Sequence, residues 1–173
     1  MEKLKAALLA WDGVHTDLLI DIYQKNREQP DFFEKLILIS QEQADLQMAT
    51  TWLVKHHYDQ KESLGDAQMN ELFAICPQVT AWEAKLHLLQ VMGKFRLSEK
   101  NLIPVEDFVR QCLEDEVKFV RAWAYHGLYE LSQFNPELKR EIRYWGERAL
   151  ETESASIKSK VRKILAKLEK EGY

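Results

Sequence analysis

The chain has 173 residues, 46% of them hydrophobic and 30% charged, and a net charge of −4. That length supports a substantial buried core, and that composition excludes a disordered chain. The acidic balance excludes a nucleic-acid binder that uses its whole length, because phosphate recognition needs concentrated positive charge.

At the N-terminus, Met1 to Lys5 lead into an apolar run from Ala6 to Trp11, too short for the hydrophobic region of a signal peptide. From there apolar positions recur at helical spacing almost to the end, with no alternating strand pattern. The spacing predicts ten helices in five pairs: 2–11 with 15–26, 31–39 with 42–59, 66–75 with 80–93, 104–113 with 117–132, and 136–151 with 155–170. Helix-boundary residues suit this division. Ser40-Gln41-Glu42-Gln43 and Thr80-Ala81-Trp82-Glu83 have the form of a capping box. Gly65 is placed to end a helix before Asp66, and Pro30, Pro104 and Asn135-Pro136 stand at helix starts. No linker or low-complexity stretch intervenes, so residues 1–173 are read as one domain. No segment approaches transmembrane length, and Cys76 and Cys112 lack metal-type spacing, so buried reduced thiols in a cytoplasmic protein are expected.

A helix pattern recurs along this series. Val120-Arg121-x-x-Ala124-x-x-Gly127-Leu128-x-x-Leu131 and Ile157-Lys158-x-x-Val161-x-x-Ile164-Leu165-x-x-Leu168 share it, and weaker copies start at Leu46 and Trp82. The starts lie 36, 38 and 37 residues apart, a period that signals stacked helix pairs. The two sharp copies resemble the second helices of HEAT repeats, and the chain is similar in pattern to the HEAT-like, armadillo-type α-solenoid superfamily. The resemblance implies an all-α, right-handed α-α solenoid of about five stacked helix pairs. It also implies a habit of binding proteins on a concave face lined by the second helix of each pair, without specifying a function.

Counting each pattern start as zero, core positions 0, 4, 7, 8 and 11 cluster on one helix face, and positions 2, 5, 6 and 9 lie opposite. Those opposite positions are rich in aromatic, aliphatic and imidazole groups. Trp52, His87, Leu88, Tyr125, His126 and Tyr129 are therefore the candidate partner-binding residues, forming a groove for a peptide or helix of another protein. The competing reading is that the chain, or a second copy of it, buries this face. Arg121 and Lys158 share one repeat position with Glu83, which predicts a Glu83–Arg121 ladder contact. Lys158, Arg162 and Lys163 lie on the basic last helix and form a candidate patch for nucleic acid or an acidic partner.

Chemistry-bearing motifs are sparse. His56 and His57 diverge by about 100° on a helix, and His56-x-x-Asp59 or His87 with His126 would supply only two ligands. No nucleophile elbow, phosphate-cradling loop or dinucleotide fingerprint is present, so neither a cofactor nor a metal is expected. The function read from the sequence is a non-enzymatic protein-interaction scaffold. The alternative is a DNA-lesion-binding or alkylpurine-DNA-glycosylase-like protein of the same superfamily, for which no Asp and Arg match that family's motif.

Overall fold

The computed structural model describes all 173 residues. The chain is all-helical: α1 (Glu2–Leu9), α2 (Asp17–Asn26), α3 (Phe32–Glu42), α4 (Gln47–Asp59), α5 (Asp66–Phe73), α6 (Trp82–Val91), α7 (Glu99–Leu113), α8 (Lys118–Leu131), α9 (Glu137–Thr152) and α10 (Ala155–Lys170), with short 3₁₀ turns at Ala44–Leu46 and Cys76–Gln78. None is long and apolar enough to cross a membrane. The helices divide into two compact units, Met1–Ser98 and Glu99–Tyr173.

In the first unit α4 packs against α2, α3 and α6, and α3 packs on α5. Leu19 and Tyr23 of α2, Leu36 and Ile39 of α3, Leu53 of α4, Met69 and Phe73 of α5 and Leu89 of α6 have no exposed surface. The buried hydroxyls of Thr50 and Thr51 donate back to the carbonyls of Leu46 and Gln47, so α4 buries them without orphaned donors. Asn70 ties down the segment after α6: its amide donates to the Arg96 carbonyl at 2.9 Å, and its Oδ1 accepts from the Ser98 N–H at 2.7 Å.

Several helix ends differ from the sequence reading. Ser40 lies inside α3 with its hydroxyl on the Ile37 carbonyl, and α4 begins after the 3₁₀ turn, so no capping box forms there. Thr80 caps nothing; Ala81 precedes α6 without a side-chain bond. Gly65 starts α5 rather than ending α4, and its N–H donates to Gln68 Oε1 at 3.2 Å. The left-handed residue that ends α4 is Lys61, at φ 65°, with the Glu62 N–H returning to the His57 carbonyl. α7 begins at Glu99, five residues before the expected start, and carries Pro104 inside it at the loss of one backbone bond. Asn135 behaves as expected, its Oδ1 accepting from the Glu137 N–H at 3.2 Å.

In the second unit α8 is packed on three sides, by α7, α9 and α10, and α9 packs on α10. Val120, Ala124, Leu128 and Leu131 of α8 meet this core as the pattern requires, and so do Ile157, Val161, Ile164 and Leu168 of α10. Gly146 lets α9 approach α10 closely: a Cβ there would stand 3.0 Å from Leu165. Arg121 pairs with Glu153 and not with the expected Glu83, and it makes further bonds to the Asp115 and Glu116 carbonyls.

The pattern start in α6 needs a correction. Trp82 is 39% exposed, whereas Ala84, Leu88, Val91 and Met92 are buried. These four fit positions 0, 4, 7 and 8 of a copy that starts at Ala84, two residues later than the sequence reading placed it.

Candidate interaction face on α8 and α10

The α10 sequence sets up a one-sided helix. Ile157, Val161, Ile164 and Leu168 form its buried stripe, and six of its remaining residues are Lys or Arg against a single Glu. Packing that stripe inward lays Lys160, Lys163 and Lys167 along the flank of α8. There α8 presents Phe119, Trp123 and Tyr129, of which Phe119 is 51% exposed and the other two are half-buried.

The two helices meet as alternating cations and rings. Lys160 Nζ stands 2.8 Å from the Trp123 ring centroid, and Lys167 Nζ stands 4.7 Å from that of Tyr129. The Tyr129 hydroxyl donates to Glu171 at 2.6 Å, and Lys139 bridges the same carboxylate at 2.8 Å. That bond holds the Tyr129 phenol up at about 12, and together Lys139 and Tyr129 hold the Glu171 carboxyl below its usual range. Around Trp123 and Lys160 an open cavity of about 300 Å³ is lined by Phe119, Ala122, Ser156, Ser159 and Lys163.

Lys160 is half-buried and has no carboxylate partner. Burial, aided by the Lys163 ammonium, pushes its pKa down to about 8. Arg162, Lys163, Lys167 and Lys170 also lack an ion pair, while Lys158 is turned toward α9 and donates to the Glu151 carbonyl at 3.2 Å. Of the three basic residues singled out in the sequence, Lys163 alone lines the cavity; Arg162 is exposed elsewhere on α10.

The six candidate groove residues are not a continuous exposed row. Leu88 is 1% exposed and Tyr125 7%, so both are core side chains and neither offers surface to a partner. Tyr125 sits beside a second cavity of about 250 Å³, lined also by Arg110, Glu141 and Trp145. The reason is packing: α8 has neighbours on three sides, so its second apolar face is covered as well. His126 is half-buried, edge-on to Trp123 and 3.5 Å from Glu130.

Trp52 belongs to a cluster of rings in the first unit, and His87 of α6 meets Thr51 of α4. Trp52 stacks on His56 at 4.7 Å, His57 Nδ1 lies 3.0 Å from the Tyr23 hydroxyl, and His87 Nδ1 lies 3.1 Å from Thr51 Oγ1. Burial holds all three imidazoles below their usual pKa, His87 down to about 4. No group of three or more His, Cys, Asp or Glu side chains is arranged to hold a metal ion.

Sequence reasoning counts Trp123 among the aromatics and Lys160 among the basic residues of the last helix, but it neither pairs them nor names Phe119. A signal was available: Trp123 and Lys160 each stand three residues after a pattern start, and the packing of α10 on α8 brings them together. No protein-family model matches the chain, and no curated protein or solved structure matches it.

Proposed function

We propose that this chain is a non-enzymatic protein-interaction module built from HEAT-like helix pairs, and that the α8–α10 face receives an acidic segment of a partner protein. The solenoid reading is supported by pattern starts at Leu46, Ala84, Val120 and Ile157, which lie 38, 36 and 37 residues apart. It is supported too by the packing of α4 on α6 and of α8 on α10, helices that occupy equivalent places in the pattern.

One observation carries the binding reading: a row of lysines without carboxylate partners lies against aromatic rings that are left partly open. A carboxylate brought to Lys160 meets an ammonium that is already partly stripped of water, so the pair forms at a low desolvation cost. Phe119 and Trp123 supply apolar surface beside it, the combination that anchors protein interfaces. From Lys160 to Lys167 the row runs only about 10 Å along the helix, and Glu171 stands at its far end. That length spans two or three phosphates, well short of the six to ten contacts of a typical duplex binder.

The test is fluorescence anisotropy with two labelled probes, a short helical peptide of Glu, Ala and Leu and a DNA duplex. Binding of the peptide, weakened about tenfold or more by Lys163→Glu with Lys167→Glu, supports the reading. Tighter binding of the duplex at physiological salt overturns it in favour of the nucleic-acid alternative.

A further inference from the structure

We propose that Lys160 is a nucleophilic amine that accepts an acyl group from a small acyl phosphate, with Lys163 holding the phosphate. Lysine is made nucleophilic by desolvation in an apolar pocket or by a neighbouring cation, and Lys160 has both. Its Nζ lies against the Trp123 indole, on the wall of the open cavity that also presents the Lys163 ammonium and the Ser156 and Ser159 hydroxyls. No carboxylate is paired with it to hold the proton on, and burial brings its pKa down to about 8. The ring attracts the ammonium and opposes this shift, but it has little hold on the neutral amine, which is left free to turn toward the cavity.

The step balances without a further reagent. The neutral Lys160 nitrogen attacks the acyl carbon, and a C–N bond forms. The C–O bond to phosphate breaks, and the proton lost by nitrogen leaves on the released hydrogen phosphate. Lys163 and the positive field of α10 favour the dianionic reagent over a neutral one. The product is an uncharged amide where the interaction face had its most desolvated cation. That consequence rests on the acidic-partner reading; the reactivity of Lys160 does not.

Near pH 7.5 an amine of pKa about 8 is neutral in about a quarter of molecules, against about one in a thousand for an ordinary lysine. Part of that advantage is returned, because a less basic amine is a weaker nucleophile. The full chain is incubated with acetyl phosphate to low conversion, and acetylation at each lysine is quantified by peptide mass spectrometry. We expect Lys160 to react about tenfold faster than the exposed Lys170, and Lys163→Gln to slow Lys160 severalfold while leaving Lys170 unchanged. A neutral ester, p-nitrophenyl acetate, run from pH 6.5 to 10, reads the amine without phosphate docking, and its rate at Lys160 should level off above about pH 8. Lys160 reacting no faster than Lys170 with either reagent would overturn the proposal. No peptide binding by the native chain, with labelling of Lys160 as expected, would instead count against the interaction reading alone.

Discussion

The Lys160 ammonium lies 2.8 Å from the centre of the Trp123 indole, joining α10 to α8 through a cation and a ring with no carboxylate between them. Replacing Trp123 by Ala removes this floor and opens the cavity further. We expect a loss of about 1–3 kcal/mol of stability, since Trp123 is only half-buried. We also expect acidic-peptide binding to fall more than it does in Trp123→Phe, which keeps an aromatic face. Urea unfolding and anisotropy on the two variants separate these effects.

Arg121 grips Glu153 through Nε and Nη2 at 2.9 and 3.0 Å while also donating to two carbonyls. Arg121→Ala leaves these acceptors without their donor and should cost about 1–3 kcal/mol in urea unfolding. Arg121→Lys should recover only part, because an ammonium cannot reproduce the planar fork. Full recovery by lysine would show that charge alone matters there.

Burial reverses what the outward register implied for α8. Tyr125→Ala and Leu128→Ala should each cost about 2–5 kcal/mol, because both side chains are enclosed. Lys163→Gln, on the exposed side of α10, should stay within about 0.5 kcal/mol of the native chain. A Tyr125 variant of native stability would contradict the packing of α8.

Three of the four imidazoles of the first unit make stability depend on acid. His56, His57 and His87 all have folded pKa values below the ordinary 6.5, His87 at about 4. As pH falls below 6.5 the unfolded chain therefore binds protons first. Stability is complete above about pH 7 and declines between about 6.5 and 4, with His87 contributing up to about 3 kcal/mol. Denaturation midpoints measured from pH 8 to 5 should show this fall, and His87→Leu should flatten it. The Thr51 hydroxyl keeps its bond to the Gln47 carbonyl in that variant.

Lys61 holds a left-handed backbone, φ 65°, at the end of α4. Glycine adopts that conformation without strain, so Lys61→Gly should stabilise the chain by about 0.5–1 kcal/mol, read as a raised thermal midpoint. A destabilised variant would show that the Lys61 side chain contributes more than its backbone costs.

The sequence was most informative where a helix is one-sided. α10 buries Ile157, Val161, Ile164 and Leu168 and exposes Arg162 and Lys163, as its pattern requires. α8 could not be read the same way, because apolar residues surround it and only the position of its neighbours shows that Tyr125 is enclosed. In α6 the large Trp82 looked like a core residue and the small Ala84 did not; the structure exposes the first and buries the second, since a helix end places bulk at the surface. The Trp123–Lys160 pair was legible through the repeat, but only by comparing one position across two copies.

The interaction reading is tested most directly by mapping where an acidic peptide lands. Amide and side-chain chemical shifts of the full chain, labelled for NMR, are followed as the Glu, Ala and Leu peptide is added. Shifts concentrated at Phe119, Trp123, Tyr129, Lys160, Lys163 and Lys167, and lost with Lys163→Glu and Lys167→Glu, are the expected result. Shifts spread evenly over lysines elsewhere, or centred away from α8 and α10, would contradict it.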